Sequence, residues 1–420
     1  MPGLIVMKFG GTSVADAERI KRAARRIVDK REAGQRVVAV LSARGKTTDE
    51  LIAMADEVSA SPDPREMDML LSTGERISCA LCAMAINDLG HRAISLTGSQ
   101  AGILTDESHT KALIVDVRAD RIRAALEEDS IVLVAGFQGV SRNARNVTTL
   151  GRGGSDTSAV AVAAALEAEV CEIYTDVSGV YSADPRIVPE ARKLDSVSFE
   201  EMLEMAASGA GVLQLRSVEY ARNHGVRIHC RSSFDDEPGT FVVAEAEMME
   251  QPLITAVTHS TSEARMTLIG VPDEPGAAAR IFAALADANI NVDMIVQNEP
   301  TSAGGLAEIS FTLPREDLRV ASAALAPLTG EVFAEMHAHE DMGKVSIVGA
   351  GMRSHPGVAA KVFGVLAGEG VNIDMISTSP IKISCVIDLE RVHQAVQLLH
   401  SAFELSGEGT VVEEEPFKAR

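Results

Sequence analysis

Lys8-Phe9-Gly10-Gly11-Thr12-Ser13 constrains the fold of this chain more than any other segment. It follows a short apolar run, Leu4-Ile5-Val6-Met7, and precedes an amphipathic stretch beginning near Asp16. That order reads strand, glycine turn, helix. Paired glycines let backbone N–H groups approach an anion that a Cβ would hold away. The helix N-terminus adds free donors and partial positive charge. A lysine at the strand end can reach a phosphate in transfer. The segment is not a Walker A loop, because no Gly-x-x-x-x-Gly-Lys-Ser/Thr pattern is present.

The same alternation continues downstream. Arg36–Ser42, Ile131–Ala135 and Val170–Thr175 read as buried strands. Between them, Ala17, Ile20, Ala24, Ile27 and Val28 follow a helical period with basic residues opposite. Residues 159–168 form an Ala/Val-rich helix with almost no polar face, so burial is expected. Strands alternating with helices imply a largely parallel sheet covered on both sides.

The chain has 420 residues, enough for two or three domains. A hydrophobic content of 46% fits buried globular cores rather than disorder. The net charge of −21 argues against nucleic acid as a main partner. Absence of Trp and an aromatic content of 3% argue against base-stacking platforms. No apolar run approaches a membrane-spanning length, and no basic n-region with a long apolar core opens the chain. Five cysteines, an odd number, point to reduced thiols and a cytoplasmic location.

An acidic Pro/Gly turn at Asp235-Asp236-Glu237-Pro238-Gly239, with more acid over residues 245–251, places a domain boundary near residue 250. Beyond it the chain repeats. Pro275-Gly276 returns as Pro356-Gly357, and Asn291-Val292-Asp293-Met294 as Asn372-Ile373-Asp374-Met375, both at an offset of 81 (357 − 276 and 372 − 291). Ala278, Ile281, Phe282 and Leu285 map onto Ala359, Val362, Phe363 and Leu366, one helix face written twice. Each unit is expected to run strand, Pro-Gly loop, helix, then a strand ending in Asn-x-Asp-Met. The expected domains are 1–250, 251–340 and 341–420.

Further motifs carry chemistry. Gly151-Arg152-Gly153-Gly154-Ser155-Asp156 opens the buried Ala-rich helix. Its glycines permit a close turn, Ser155 or Asp156 can cap the helix, and Arg152 offers a fork for a carboxylate or phosphate. Taken alone it suits an ordinary glycine turn equally well; beside the Lys8 loop the functional reading wins. Tyr174-Thr175-Asp176 ends a strand, and Tyr181-Ser182-Ala183-Asp184-Pro185-Arg186 follows. Strand ends are where open α/β sheets bind ligands. A Pro-containing turn with a surface ion pair is the competing reading. Ser72-Thr73-Gly74-Glu75-Arg76 starts a helix. Glu75 suits either a substrate ammonium or the helix macrodipole.

Three patterns are set aside. Cys79-x-x-Cys82 lies in an apolar helical run and reads as buried thiols. Gly349-Ala350-Gly351 lacks the third glycine of a dinucleotide loop and aligns with Gly270-Val271-Pro272-Asp273 of the repeat. His337-x-His339 has no further ligand nearby in sequence and reads as solvent-exposed.

Together these motifs resemble the aspartate kinase family. The family pattern is matched by Lys8–Ser13, by Thr73–Ser78 (Thr-Gly-Glu-Arg-Ile-Ser) and by Thr149–Asp156 (Thr-Leu-Gly-Arg-Gly-Gly-Ser-Asp). Residues 174–186 look like its nucleotide-binding stretch, and the repeat like its paired ACT domains. The resemblance spans essentially the whole chain. It implies an amino-acid-kinase-like α/β three-layer sandwich with a mostly parallel central sheet, followed by two α+β, ferredoxin-like ACT modules. It implies transfer of phosphate from ATP, with Mg²⁺, to the β-carboxylate of L-aspartate. The product, 4-phospho-L-aspartate, feeds lysine, threonine, methionine and diaminopimelate synthesis. Carried over, Lys8, Phe9, Gly10 and Gly11 border the phosphates, with Lys8, Arg152, Ser155 and Asp156 as catalytic residues. Ser42 and Thr48 line the substrate site, and Ser42 also borders the nucleotide. Glu75 meets the ammonium, Arg152 the α-carboxylate with Gly153 and Gly154 beside it, and Ser155 sits between the two substrates. Thr175, Asp176, Tyr181, Asp184 and Arg186 surround the nucleotide.

For the effector sites the resemblance implies Asp273, Glu274, Pro275, Gly276, Ala277, Ala278, Asn291, Asp293 and Gln297, with Asn372, Asp374 and Thr378 in the second copy. Lysine and/or threonine are the implied effectors, and a homodimer or higher oligomer forms through the ACT modules. Asp273-Glu274 becomes Ser354-His355 in the second copy, so unequal effector binding is expected. Three local features depart from or extend the family pattern. Arg44 stands where Met is common. Ser208-Gly209-Ala210-Gly211 lacks a basic residue. Met248-Met249 offers an internal start for a small subunit.

The residue chemistry agrees. A carboxylate nucleophile, with an ordinary pKa of about 3.9, is ionised at neutral pH and needs no general base. Charge neutralisation and alignment suffice, from Lys8, glycine amides, helix N-termini and Mg²⁺. Two alternatives remain at this stage: a kinase of another small amino acid, and an amino-acid sensor with an inactive kinase domain.

Overall fold

The computed structural model describes residues 3–248, 252–298 and 305–407. Met249 and the expected boundary at residue 250 lie outside the described residues. The chain divides into two units. One comprises Met1–Val180, Lys193–Ala207 and Gly211–Glu250; the other comprises Tyr181–Arg192, Ser208–Ala210 and Gln251–Arg420.

The first unit opens with β1 (Leu4–Phe9), α1 (Ala17–Glu32), β2 (Arg36–Leu41), α2 (Thr47–Val58), α3 (Pro64–Leu71), α4 (Thr73–Asp88) and β3 (Ala93–Leu96). It continues with β4 (Ile103–Thr105), β5 (Ile114–Val117), α5 (Asp120–Glu127), β6 (Ile131–Ala135), β7 (Gln138–Ser141), β8 (Val147–Thr149), α6 (Gly154–Ala165) and β9 (Val170–Thr175). β10 (Ser196–Ser198), α7 (Phe199–Ala207), α8 (Leu215–His224), β11 (Ile228–Ser232) and β12 (Thr240–Val243) complete it.

Its main sheet runs β10-β12-β11-β9-β1-β2-β6-β3 and is parallel except at β11–β12. β1 and β6 are buried along their whole length, as unbroken apolar runs covered on both faces require. α1 presents Ile20, Ala24, Ile27 and Val28 to Cys79, Cys82 and Ile86 of α4 in one core. Asp16 caps α1 by accepting from the Arg19 amide at 2.9 Å. On α6 every residue from Gly154 to Ala163 is buried, which accounts for its missing polar face. A second sheet, β5-β4-β7-β8, was not foreseen: its strands of three or four residues are too short to show alternation.

One expectation needs correction. The helical run Pro64–Asp88 is long and apolar enough by composition to cross a membrane. Half of its apolar window is buried in this unit, and Glu75 and Arg76 interrupt it. Its hydropathy comes from both faces: Leu71, Cys79, Cys82, Ala83 and Ile86 are buried, while Met69, Ile77, Leu81 and Met84 are exposed.

The second unit contains β13 (Ala256–Pro272), α9 (Ala277–Asp287), β14 (Ile295–Asn298), β15 (Leu306–Pro314), α10 (Leu318–Leu325), β16 (Glu335–Val348), α11 (Val358–Gly368), β17 (Met375–Ser379), β18 (Lys382–Asp388) and α12 (Val392–Ala402). They form one antiparallel sheet, β14-β15-β13-β16-β18-β17, in which the repeats meet along β13 and β16. Gly276 and Gly357 cap α9 and α11 with φ of +106° and +101°, the same left-handed turn used twice. Ile281 and Leu285 are buried in one core, and Val362 and Leu366 in another. β16 runs through residue 340 without a break, so the cut expected there falls inside a strand.

Asn-x-Asp-Met leads into β14 and β17 rather than ending a strand. In the first copy the amides of Asp293 and Met294 bond the carbonyl and hydroxyl of Thr312, tying the motif to β15 before the ladder starts. All five cysteines are buried and free. His337 and His339 are exposed, with His337 Nε2 3.2 Å from Glu335.

Candidate active site

β1 lies between β2 and β9 in the sheet, so its carboxyl end opens where the adjoining loops converge. Lys8 is 9% exposed, and its Nζ lies 2.6 Å from Asp156 Oδ1 in the first turn of α6. That oxygen accepts nothing else among the described residues. The pair sits under the glycine turn, since a Cβ on Gly10 would stand 3.4 Å from Lys8 Nζ. Gly11 permits close approach: a Cβ there would lie 2.9 Å from the Ala43 carbonyl. The turn passes through one 3₁₀ turn, Gly11–Val14, before α1 begins. Gly10 N–H donates to Tyr174 O, and Gly45 N–H to Gly11 O, stitching the loops after β9 and β2 to the turn.

Ser42 follows β2 half-buried, its amide bonded to Phe9 O, and Thr48 is half-buried in the first turn of α2. Arg44, the departure from the family pattern, donates to Ala15 O at 3.1 Å and so ties this loop to the glycine turn. Glu75, on α4, is 3% exposed. Its Oε1 accepts the Ala43 amide at 3.1 Å, and its Oε2 has no partner among the described residues. Burial raises its pKa from the ordinary range to about 7, against its own backbone amide, the Ala43 amide and Arg76. A buried carboxylate with one bare oxygen is a receptor for a cation.

Ser155 lies against the turn after β6: a Cβ on Gly136 would be 2.9 Å from its Oγ. Gly153 caps α6 with φ +70°, a conformation open to glycine, and Gly154 follows it buried. Arg152 projects from this loop, exposed and without an ion pair among the described residues. The sequence-predicted Lys8, Gly10, Gly11, Ser42, Glu75, Ser155 and Asp156 thus gather at the carboxyl ends of β1, β2 and β6. Phe9 ends β1, just before the turn. Its ring is fully buried and stacked on Tyr174 with centroids 4.8 Å apart, so only its backbone borders the turn.

Thr175 ends β9 and Asp176 follows it, with the Thr175 hydroxyl donating to Asp176 at 3.2 Å. Tyr181, Asp184 and Arg186 belong to the second unit. There Arg186 pairs with Asp184 at 2.6 Å, which holds the Asp184 carboxyl below its usual range. Ala183 and Val188 enter the core of the second repeat. The Ser182 hydroxyl lies 2.9 Å from His400 Nε2 and accepts from the Arg192 amide.

Among the effector candidates, Asp273, Glu274, Pro275 and Gly276 are exposed in the loop before α9, with Ala277 buried and Ala278 half-buried behind them. Asn291, Gln297, Asn372 and Thr378 are exposed. Asp293 is already engaged, 2.5 Å from the buried Lys344 Nζ, which also meets Glu263 at 3.1 Å. Asp374 bonds Asn372 and faces Arg265 at 3.6 Å. A cavity of about 450 Å³ on this sheet is lined by Arg265, Glu308, His337, His339 and Asp374. Only Asp374 of the effector candidates borders it. Sequence reasoning missed Asp68, Arg216 and Lys344, each a charge within an otherwise ordinary helix or strand pattern.

Comparison with known proteins agrees with this geometry. Residues 3–232 match the amino acid kinase family, and residues 265–330 and 345–403 each match an ACT domain. The aspartokinase of Mycolicibacterium smegmatis is 56% identical over 412 residues, covering 97% of this chain and 98% of that protein. That of Corynebacterium glutamicum is 53% identical over 412 residues, with 97% and 98% covered. The structure of E. coli aspartokinase III with aspartate and ADP gives a TM-score of 0.80 at 28% identity, covering 95% of this chain and 99% of that one. The structure of E. coli aspartokinase III with lysine and aspartate gives 0.73 at 27% identity, with the same coverage.

Fold and site therefore define an amino acid kinase carrying two ACT domains. The chain belongs to the aspartate kinase family, enzymes that use a nucleotide to phosphorylate aspartate and are regulated through ACT domains.

Proposed function

We propose that the enzyme transfers the γ-phosphoryl group of ATP to the β-carboxylate of L-aspartate, giving 4-phospho-L-aspartate and ADP. The observation that carries this reading is the buried Lys8–Asp156 pair beneath the Gly10-Gly11 turn, together with the buried Glu75, whose Oε2 has no partner among the described residues. Glu75 receives the substrate ammonium and Arg152 its α-carboxylate, an arrangement that selects an α-amino acid. The β-carboxylate oxygen attacks phosphorus, the bond to the bridging oxygen breaks, and ADP leaves; no proton is moved. Lys8 and the turn amides balance charge on the phosphoryl group, and Ser155 lies between donor and acceptor. Asp156 keeps Lys8 aimed upward. The nucleotide roles of Thr175, Asp176, Tyr181, Asp184 and Arg186 rest on the family resemblance.

Magnesium fits as the nucleotide's own ion. It is commonly held by phosphates, waters and one or two carboxylates rather than a protein cage, and no cluster of three ligating side chains exists among the described residues. Lysine and/or threonine are proposed as effectors through the ACT pair, in a homodimer or larger assembly, with a role in lysine, threonine, methionine and diaminopimelate synthesis. E. coli aspartokinase III has been solved with lysine bound, which favours lysine as one effector.

The test is turnover of ATP, Mg²⁺ and L-aspartate with hydroxylamine trapping of the acyl phosphate, with and without each amino acid. Turnover suppressed by either one supports both parts. Turnover untouched by both leaves the kinase and removes these effectors. No turnover, with Lys8→Ala the same as wild type, overturns the reading.

A further inference from the structure

Asp68 has no part in the chemistry above, yet it is completely buried on α3. A buried carboxylate is costly unless its oxygens are bonded. Here Thr149 Oγ1 donates at 2.5 Å, the Thr110 amide lies 3.0 and 3.2 Å from the two oxygens, and His109 Nδ1 stands at 2.6 Å. Thr110 has φ +66°, an outlying conformation for a β-branched residue. Such strain persists where the surroundings over-determine it, and it concentrates at functional sites.

Both threonines border the loop that carries Arg152. Thr149 ends β8 immediately before Leu150 and Gly151. The Thr110 carbonyl would stand 3.2 Å from a Cβ on Gly151. A second clamp reinforces the first. Arg216 donates to Leu150 O at 2.9 Å and to Ala112 O at 2.8 Å, while the Ala112 amide donates to Thr149 O at 2.9 Å. The backbone up to Gly151 is thus fixed from two sides, and the next residue, Arg152, is exposed and unpaired.

We infer that Asp68 is a positioning residue for the acceptor: through Thr149 and Thr110 it holds the Leu150–Gly151 backbone so that Arg152 projects to the α-carboxylate of aspartate. The inference rests on the reading of Arg152 given above. It places the action of Asp68 on aspartate affinity. Lys8 is carried by β1, outside this network, so nucleotide affinity is left alone.

The test uses the full chain and measures KM for L-aspartate and for MgATP in Asp68→Ala, Asp68→Asn, Thr149→Val and Arg152→Ala. Asp68→Ala and Thr149→Val are expected to raise KM for aspartate about tenfold, with KM for ATP within about twofold of wild type, because a small misplacement of a binding group is costly. Asp68→Asn keeps one oxygen for Thr110 and His109, and Thr149 can turn to accept from the new amide; partial rescue is expected. Should Asp68→Ala fail to fold, Thr149→Val carries the test alone. If Arg152→Ala raises KM for aspartate and Thr149→Val does not, the positioning role is overturned and the Arg152 reading stands. If Arg152→Ala itself leaves that KM unchanged, the Arg152 reading falls and the inference with it.

Discussion

Glu75→Gln is the substitution with the sharpest consequence. Burial raises the Glu75 carboxyl to about 7, with the two amides and Arg76 pulling the other way. In the free enzyme about one molecule in ten then carries the charge at about pH 6, and about nine in ten at about pH 8. The substrate ammonium binds only the charged form. At saturating MgATP, kcat/KM for L-aspartate is therefore expected to rise nearly tenfold across about those two units. In Glu75→Gln the level falls and the rise disappears; any slope left belongs to other groups. If wild type and Glu75→Gln share one pH profile, Glu75 does not bind the ammonium.

The same shift sets a stability signature. The folded state holds a proton on Glu75 at pH values where the unfolded chain has released it. This contribution is fully present below the unfolded pKa of 4.5 and is lost as pH climbs to about 7. The shift corresponds to about 3 kcal/mol. L-Aspartate pairs with the charged form, so the rise in Tm that it produces is expected to be larger at about pH 8 than at about pH 6.

Other substitutions separate structure from chemistry. Lys8→Met strands the Asp156 carboxylate and is expected to cost about 3–5 kcal/mol in urea unfolding. Adding Asp156→Asn restores most of that while turnover stays down at least about a hundredfold; equal stability of single and double variants refutes the pairing. Ser182→Ala removes the hydroxyl beside His400 and the Arg192 amide, at about 1–3 kcal/mol. It is expected to raise KM for ATP more than KM for aspartate, and equal changes count against a nucleotide role for Tyr181, Asp184 and Arg186. Lys344→Met leaves Glu263 and Asp293 facing each other without their cation and is expected to destabilise the second unit by about 3–5 kcal/mol; an unchanged Tm refutes it.

The first unit was legible where local sequence carries its own physics. Glycine pairs after apolar runs announce turns that side chains would block, and the Lys8 and Gly151–Asp156 segments stand where that logic puts them. The repeat was legible because a constant offset preserves a helix face and its capping glycine. What escaped depends on distant packing. Asp68 sits one position along a helix that looks amphipathic, and its partners come from the loop at Thr110 and from β8, some forty and eighty residues away respectively. Residues 181–192 follow β9 in sequence, yet Ala183 and Val188 pack in the second repeat's core.

The two ACT copies share a backbone plan but not its charges. Glu263 and Lys344 are 81 residues apart and hold equivalent positions on β13 and β16, with opposite sign. Asp293 and Asp374 are likewise equivalent. Burial alone would lower the Lys344 pKa, but Glu263 and Asp293 outweigh it and hold it raised, so the cation is fixed and Asp293 is neutralised across the seam between the copies. Asp374 accepts from Asn372 and faces Arg265 at 3.6 Å, beside an open cavity. A ligand ammonium approaching Asp293 must displace a buried lysine, whereas one approaching Asp374 meets a longer pair to a partly exposed arginine. Displacing the first leaves a buried lysine with Glu263 alone; displacing the second breaks one longer pair. The duplicated scaffold therefore carries two equivalent aspartates with unequal partners.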